Sequence, residues 1–273
     1  MRIQIYSIAT FLILLVAACS GYNEVLKSDD FEAKREYAKT SYENKQWDRA
    51  AALYEQIYQR YSQGPIGEES YFRLGMSHYN MKDYLLAGYY FSNYSTRFFY
   101  SPQAEEAKFL SAMCAVKNVP KTSLDQAETH QALNALQEFI NLYPMSHLVD
   151  SCNRVMDRLN LQLEAKAYEN AYIYFHTEHY RAAAAAMDAF VADYPSSKRK
   201  EEAMYLATKS SYFLAINSID KKKIERFEDV IQRCAKFAEL FPESKNYSEV
   251  LTFKQKKFNS RNTIKYELQE LKC

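Results

Sequence analysis

Residues 178 to 197 read EHYRAAAAAMDAFVADYPSS, and the pattern inside them recurs four more times along the chain. Tyr180, Ala183, Met187, Phe190 and Tyr194 follow one another at steps of three and four, and Pro195 comes next. Steps of that size lay side chains along a single stripe of an α-helix. The proline ends the helix, because it lacks an N–H and drives the residue before it out of the α region. The same template fits Trp47, Ala50, Tyr54, Ile57 and Tyr61, and then Tyr84, Ala87, Phe91, Tyr94 and Phe98. It fits Thr129, Ala132, Leu136, Phe139 and Tyr143 before Pro144, with a degenerate first place, and Phe227, Val230, Cys234, Phe237 and Phe241 before Pro242. The second place is alanine in four of the five units, which lets a neighbouring helix come close. Ser196, Ser197 or Ser244 stands where it can cap the helix that follows a junction.

Each match has a partner helix ahead of it. SYFRLGMSHYNMKDY puts Leu74, Gly75 and Tyr79 before the Tyr84 anchor, and AYENAYIYFHTEHY puts Ala171 and Phe175 in the places of Gly75 and Tyr79. A glycine inside a helix costs about 1 kcal/mol relative to alanine, so close helix approach is its natural compensation. Only 5 glycines and 6 prolines occur among 273 residues, against 24 tyrosines and 16 phenylalanines. Such a chain is poor in the turns that sheets need and rich in side chains that pack between helices. The expected fold is all-α, a tetratricopeptide-like α-α superhelix of about five helix pairs. The anchors expected to pack the repeats are Trp47, Ala50, Tyr54, Gly75, Tyr84, Ala87, Phe91, Phe139, Tyr180, Ala183, Phe190 and Phe237.

The expected organisation is a lobe of three units over 29–145, a long bridging helix over 146–176, a lobe of two units over 167–246, and a capping helix or tail over 247–273. The bridge is read from an apolar stripe through Val149, Cys152, Met156, Leu159, Leu163 and Ala167, with no glycine or proline between Ser146 and His176. Residues 117–128, with Pro120, and 218–224, with Lys221, Lys222 and Lys223, are read as loops.

Ahead of the repeats stands a different kind of segment. Arg2 gives a positive head, Ile8 to Val16 an apolar core too short to cross about 30 Å of hydrocarbon, and Ala17-Ala18 a small-residue neck before Cys19. Val16-Ala17-Ala18-Cys19 resembles the bacterial lipobox. That likeness implies a signal peptide over 1–18, acylation of Cys19, and a lipidated tether over 19–28. Ser20 after the cysteine, without an acidic cluster, resembles outer-membrane rather than inner-membrane or surface-exported lipoproteins. The implied address is the outer membrane, lipid-anchored, with the body on the periplasmic face.

Signals for chemistry are sparse. Lys plus Arg number 35 and Asp plus Glu 34, so no basic excess points to nucleic acid. Cys114, Cys152, Cys234 and Cys273 lack metal-ligand spacing, and the first three read as buried free thiols. His176 and His179 lack a third ligand. No glycine-rich phosphate loop, G-x-S-x-G turn or H-E-x-x-H occurs. No metal, cofactor or catalytic residue is therefore assigned, apart from the covalent lipid, and a non-enzyme is expected. Acid pairs at 68–69, 105–106 and 201–202 read as first-turn residues favoured by helix dipoles. Lys198, Arg199 and Lys200 form a basic run at a helix start, read either as a solvated face or as a partner surface.

The lipobox, five helix-pair units and their aromatic-Pro junctions together resemble the outer-membrane assembly lipoproteins of the BamD family (YfiO or ComL), in a Bacteroidetes-type form. QWDRAAALYEQIYQRYSQGPIGEESYFRLGMSHYNMKDYLLAGYYFSNYSTRF at 46–98 and AYENAYIYFHTEHYRAAAAAMDAFVADYPSSKRKEEAMYLATKSSYFLA at 167–215 carry the likeness, which spans about 19–245. It implies a scaffold that binds the periplasmic region of a BamA-like barrel insertase and assists folding and insertion of outer-membrane proteins. By the same likeness, Arg181, Lys198, Arg199 and Lys200 are candidate insertase contacts. Tyr42, Tyr71, Tyr79 and Phe109 are candidates for a groove that meets unfolded outer-membrane proteins, and other assembly lipoproteins are further implied partners. Ser62 and Phe99 stand where junction prolines are expected, and 117–128 departs from the family's pattern. The rival class is another periplasmic tetratricopeptide lipoprotein: a pilotin, an envelope-division coordinator or a small SusD-like glycan binder. The single Trp, at a repeat anchor, disfavours the last.

Overall fold

The computed structural model describes residues 21–253. Cys19, the signal segment, residues 254–273 and Cys273 lie outside them. The described residues form ten helices and no strand: α1 (Phe31–Glu43), α2 (Trp47–Arg60), α3 (Gly64–Asn80), α4 (Tyr84–Arg97), α5 (Ala104–Lys117), α6 (Ala127–Leu142), α7 (Val149–His176), α8 (Tyr180–Asp193), α9 (Lys200–Ile216) and α10 (Asp220–Leu240). Short helical segments at 21–27 and 247–253 flank them. The chain divides into two compact units, the first ending at Leu159 and the second starting at Asn160. The division falls within α7, the long helix expected from Ser146 to His176, whose first three expected residues belong to a junction instead.

The five matched stripes fall on α2, α4, α6, α8 and α10. Their middle three places are buried in every unit, from Ala50, Tyr54 and Ile57 to Val230, Cys234 and Phe237. The strong packing pairs join helices adjacent in sequence, α1 to α6 in turn in the first unit and α8 to α10 in the second. Partners run antiparallel: Lys34 near the start of α1 bonds Gln56 near the end of α2 at 2.6 Å, and Lys108 early in α5 bonds Glu138 late in α6 at 3.0 Å. This is the tetratricopeptide-like helix-pair repeat that the periodicity predicts.

The junctions between pairs share one geometry. Each stripe ends on an aromatic C-cap, Tyr61, Phe98, Tyr143, Tyr194 or Phe241, with φ between −113° and −134°. Its N–H still reaches the carbonyl four residues back at 2.8–2.9 Å. Phe98 adopts this conformation with Phe99 behind it, so proline favours the break without being required for it. Three residues after the aromatic stands Ser101, Ser146, Ser197 or Ser244, and Ser196 is simply exposed. Each of these serines accepts the N–H two residues on, at 2.9–3.1 Å, and donates to a glutamate of the preceding first helix at 2.5–2.7 Å. In the first junction Gly64 takes the serine's place, with φ +72°.

Turns inside pairs have their own signature. Lys45, Lys82 and Glu178 sit at φ near +60°, each closing the end of a first helix. The following residue donates five back, Gln46 to Ser41, Asp83 to His78 and His179 to Tyr174, at 2.8–3.0 Å. These are Schellman-type ends built on residues other than glycine.

Several expectations need correction. Lys221, Lys222 and Lys223 are in the first turn of α10, not a loop, because the connection is confined to Asn217–Ile219 and the helix starts at Asp220, which pairs with Lys223 at 2.9 Å. Glu68 and Glu69 lie beyond the first turn of α3, which holds no acid. The tether expected over 19–28 is helical from residue 21, with Tyr22, Val25 and Leu26 packed on the first core. At the other end, Val250 and Phe253 join the core of the second unit.

Glycine is required where backbones meet. A Cβ on Gly67 would lie 2.0 Å from the Tyr61 carbonyl oxygen, whereas one on Gly75 would meet the Phe91 ring at 3.0 Å. Gly67→Ala is therefore expected to cost about 3 kcal/mol in urea unfolding, more than Gly75→Ala, since a ring can shift and a chain junction cannot. Lys82→Gly should stabilise by up to about 1 kcal/mol by relieving the left-handed backbone.

Candidate functional site

In the first unit, α3 turns one stripe outward. Pro65, Glu68, Glu69, Phe72 and Arg73 recur at helical steps and, with Gln103, line a cavity of about 290 Å³. Glu68 is committed to structure, accepting from Tyr94 at 3.1 Å and Ser101 at 2.6 Å. The Arg73 guanidinium lies 4.7 Å above the Tyr42 ring, which in turn packs edge-on to Trp47 at 5.0 Å. This end of α3 thus offers an acid, a cation and aromatic faces.

The four aromatic groove candidates do not converge. Tyr42 packs on the core of α1–α2, Tyr71 and Tyr79 on that of α3–α4, and Phe109 on that of α5–α6. Tyr71 is only 7% exposed, wedged between Tyr58 at 4.2 Å and Tyr90 at 5.3 Å. Burial pushes its phenol up to about 12. Tyr79 meets Tyr84 at 5.5 Å and Phe109 meets Phe139 at 5.6 Å, both edge to face. Their spacing on first helices is legible in sequence, but the same spacing serves interhelix packing.

In the second unit, α8, α9 and α10 enclose a cavity of about 410 Å³ lined by Asp188, Val191, Met204, Thr208, Asp229, Arg233 and Lys236, among others. Arg233 bonds both oxygens of Asp188 at 2.8 and 2.7 Å and Asp229 at 2.8 Å. The Asp188 bonds raise its pKa beyond the ordinary value, against the pull of burial. Sequence reading passed over this cluster. The step of four from Asp229 to Arg233 was visible, but Asp188 lies on another helix.

The basic candidates are reachable. Arg181 is exposed in the first turn of α8, and Lys198 and Arg199 are exposed ahead of α9, where Lys200 begins the helix. Arg199 spreads its guanidinium 4.6 Å over the Tyr168 ring.

Reactive groups are differently placed. Cys114, Cys152 and Cys234 are buried, and burial pushes the Cys114 thiol up to about 12, away from nucleophilic character. His176 closes α7 while His179 precedes α8, its ring 3.0 Å from the Thr177 hydroxyl. Among the described residues no group of three or more His, Cys, Asp or Glu could hold a metal ion.

A family model described as an outer membrane lipoprotein, YfiO, matches residues 30–183 and 161–261. The chain belongs to this family. It is 22% identical over 176 residues to outer membrane protein assembly factor BamD of Caulobacter vibrioides, across 64% of this chain and 58% of that protein. With outer membrane protein assembly factor BamD of Helicobacter pylori it shares 29% over 99 residues, across 36% of this chain and 45% of the relative. The chain thus spans about half the length of the curated relatives it matches. A solved kinesin light chain of nearly identical TPR-like repeats from Podospora anserina is 14% identical, with a TM-score of 0.32 over 76% of this chain and 96% of that one. The repeat is read from the helices themselves.

The last helical segment is held by a polar lock with a definite pH response. Glu249 accepts from Tyr205 at 2.7 Å and pairs with Lys209 at 3.0 Å, while Lys209 donates to the Tyr205 hydroxyl at 2.8 Å. Burial pulls the Glu249 pKa up, but the bonds from Tyr205 and Lys209 outweigh it and leave it lowered from 4.5. Its stabilisation is complete above the unfolded value and is lost as pH falls through the folded one. The melting temperatures of wild type and Glu249→Gln should accordingly differ at pH 7 and converge as pH drops from about 5 to 3.

Proposed function

We propose that the chain is a non-catalytic lipoprotein scaffold that assists the assembly of outer-membrane proteins. The observation that carries this reading is the family match over both units, joined to the assembly-factor relatives and to helix-pair repeats whose faces suit polypeptide binding. Cys19 carries the lipid, and the body sits on the periplasmic side of the outer membrane. A BamA-like insertase docks through its periplasmic region on the second unit, where Arg181, Lys198 and Arg199 are exposed. Such cations steer and orient an acidic partner.

Clients meet the first-helix side of the first unit. Tyr42 under Arg73 and the Glu69–Phe72–Gln103 cavity offer stacking and polar contacts to an extended segment. Tyr71 supports that side from beneath, since it is buried. Other assembly lipoproteins join the same complex.

Crosslinking followed by gentle detergent extraction of outer membranes tests the function. A barrel insertase is expected among the partners recovered with the wild-type chain, and its absence overturns the role. The combined change Arg181→Glu, Lys198→Glu and Lys200→Glu is expected to lower insertase recovery at least tenfold with helix content unchanged. Unaltered recovery would move the docking face elsewhere.

A further inference from the structure

The first described residues point to where the body must lie. Residues 21–27 are helical, and their Tyr22 ring lies 5.1 Å from the Arg49 guanidinium and 6.0 Å from Tyr37. Arg49 belongs to the first turn of α2. The segment therefore starts beside the α1–α2 turn and runs back towards the start of α1. Cys19 stands two residues before Gly21, so covalent geometry permits at most about 7 Å between their Cα atoms. The polar layer on each side of a bilayer is about 5–7 Å deep. An acyl group on Cys19 leaves no room for a water gap between that end of the body and the membrane.

Antiparallel pairing puts the α1–α2, α3–α4 and α5–α6 connections along one edge of the first unit, with the junctions along the other. The turn edge has the composition of an interfacial surface. Leu85 is 78% exposed and Leu124 57%, and Met81 and Leu86 are exposed beside them. Trp47, half-buried, stands at the α1–α2 turn. Lys45, Lys82, Lys117 and Lys121 are exposed among them. Tryptophan, tyrosine and lysine beside aliphatic side chains are what headgroup layers accept. Glu43, Asp48 and Asp125 are interleaved on the same edge, so tether and apolar contact hold it rather than net charge.

We propose that this turn edge of the first unit rests on the lipid surface that carries the Cys19 anchor. The inference rests on the proposed acylation of Cys19. The opposite edge also exposes apolar rings, Phe99 at 60% among them, but the tether does not leave from there.

Full-length acylated protein in vesicles of phosphatidylethanolamine and phosphatidylglycerol tests it, with Leu85→Cys, Leu124→Cys or Phe99→Cys introduced singly in a Cys273→Ser background. The buried thiols stay unlabelled in the folded protein, and each introduced thiol carries an environment-sensitive fluorophore. Quenching by nitroxide lipids is expected to be at least threefold stronger at positions 85 and 124 than at 99. Two sites on the turn edge keep the test usable if one variant fails to fold. Equal quenching, or stronger quenching at 99, overturns the inference while leaving the anchor intact, provided mass spectrometry finds the acylated N-terminal peptide. An unacylated Cys19 overturns both.

Discussion

One constraint organises both units: every second helix must bury a single apolar stripe between the first helix before it and the one after it. Ala50, Ala87, Ala132 and Ala183 are wholly buried at the same place in their helices, where a larger side chain would hold the neighbours apart. Large residues one turn further on fill the space that this approach creates. The alternation of small and large sets the distance between helices.

Distance alone does not fix direction. That falls to the junction serines, whose hydroxyls serve two masters: an N–H of the helix about to start and a carboxylate of the first helix just left behind. Glu68, Glu105, Glu164 and Glu201 supply those carboxylates from the first helices. A bond to a charged acceptor contributes about 1.5–3 kcal/mol, enough to hold a turn against fraying. Where serine is missing, at Gly64, a left-handed backbone does the turning. Three of these acids, Glu68, Glu105 and Glu201, read in sequence as first-turn residues favoured by helix dipoles, and their bonds make them part of the repeat.

The stripes were legible in sequence because burial imposes a period, and so were the helix breaks at Tyr143, Tyr194 and Phe241, because proline announces them. Glu68 and Arg233 were not, since their roles depend on partners tens of residues away, Ser101 and Asp188. Lys221–Lys223 read as a loop because three adjacent lysines carry no stripe, yet the helix already begins at Asp220, which pairs with Lys223. Tyr71 looked like a groove residue for the same reason that it is a core residue: an aromatic on a first helix satisfies both descriptions, and only its neighbours decide.

Packing between helices adjacent in sequence also governs how the chain acquires its structure. Strong contacts join helices adjacent in sequence, so each new pair closes a short loop and loses little chain entropy. Assembly can nucleate at any pair and propagate outward in either direction, as in other linear arrays. A chain delivered as an extended thread can thus compact as it emerges, without waiting for its far end.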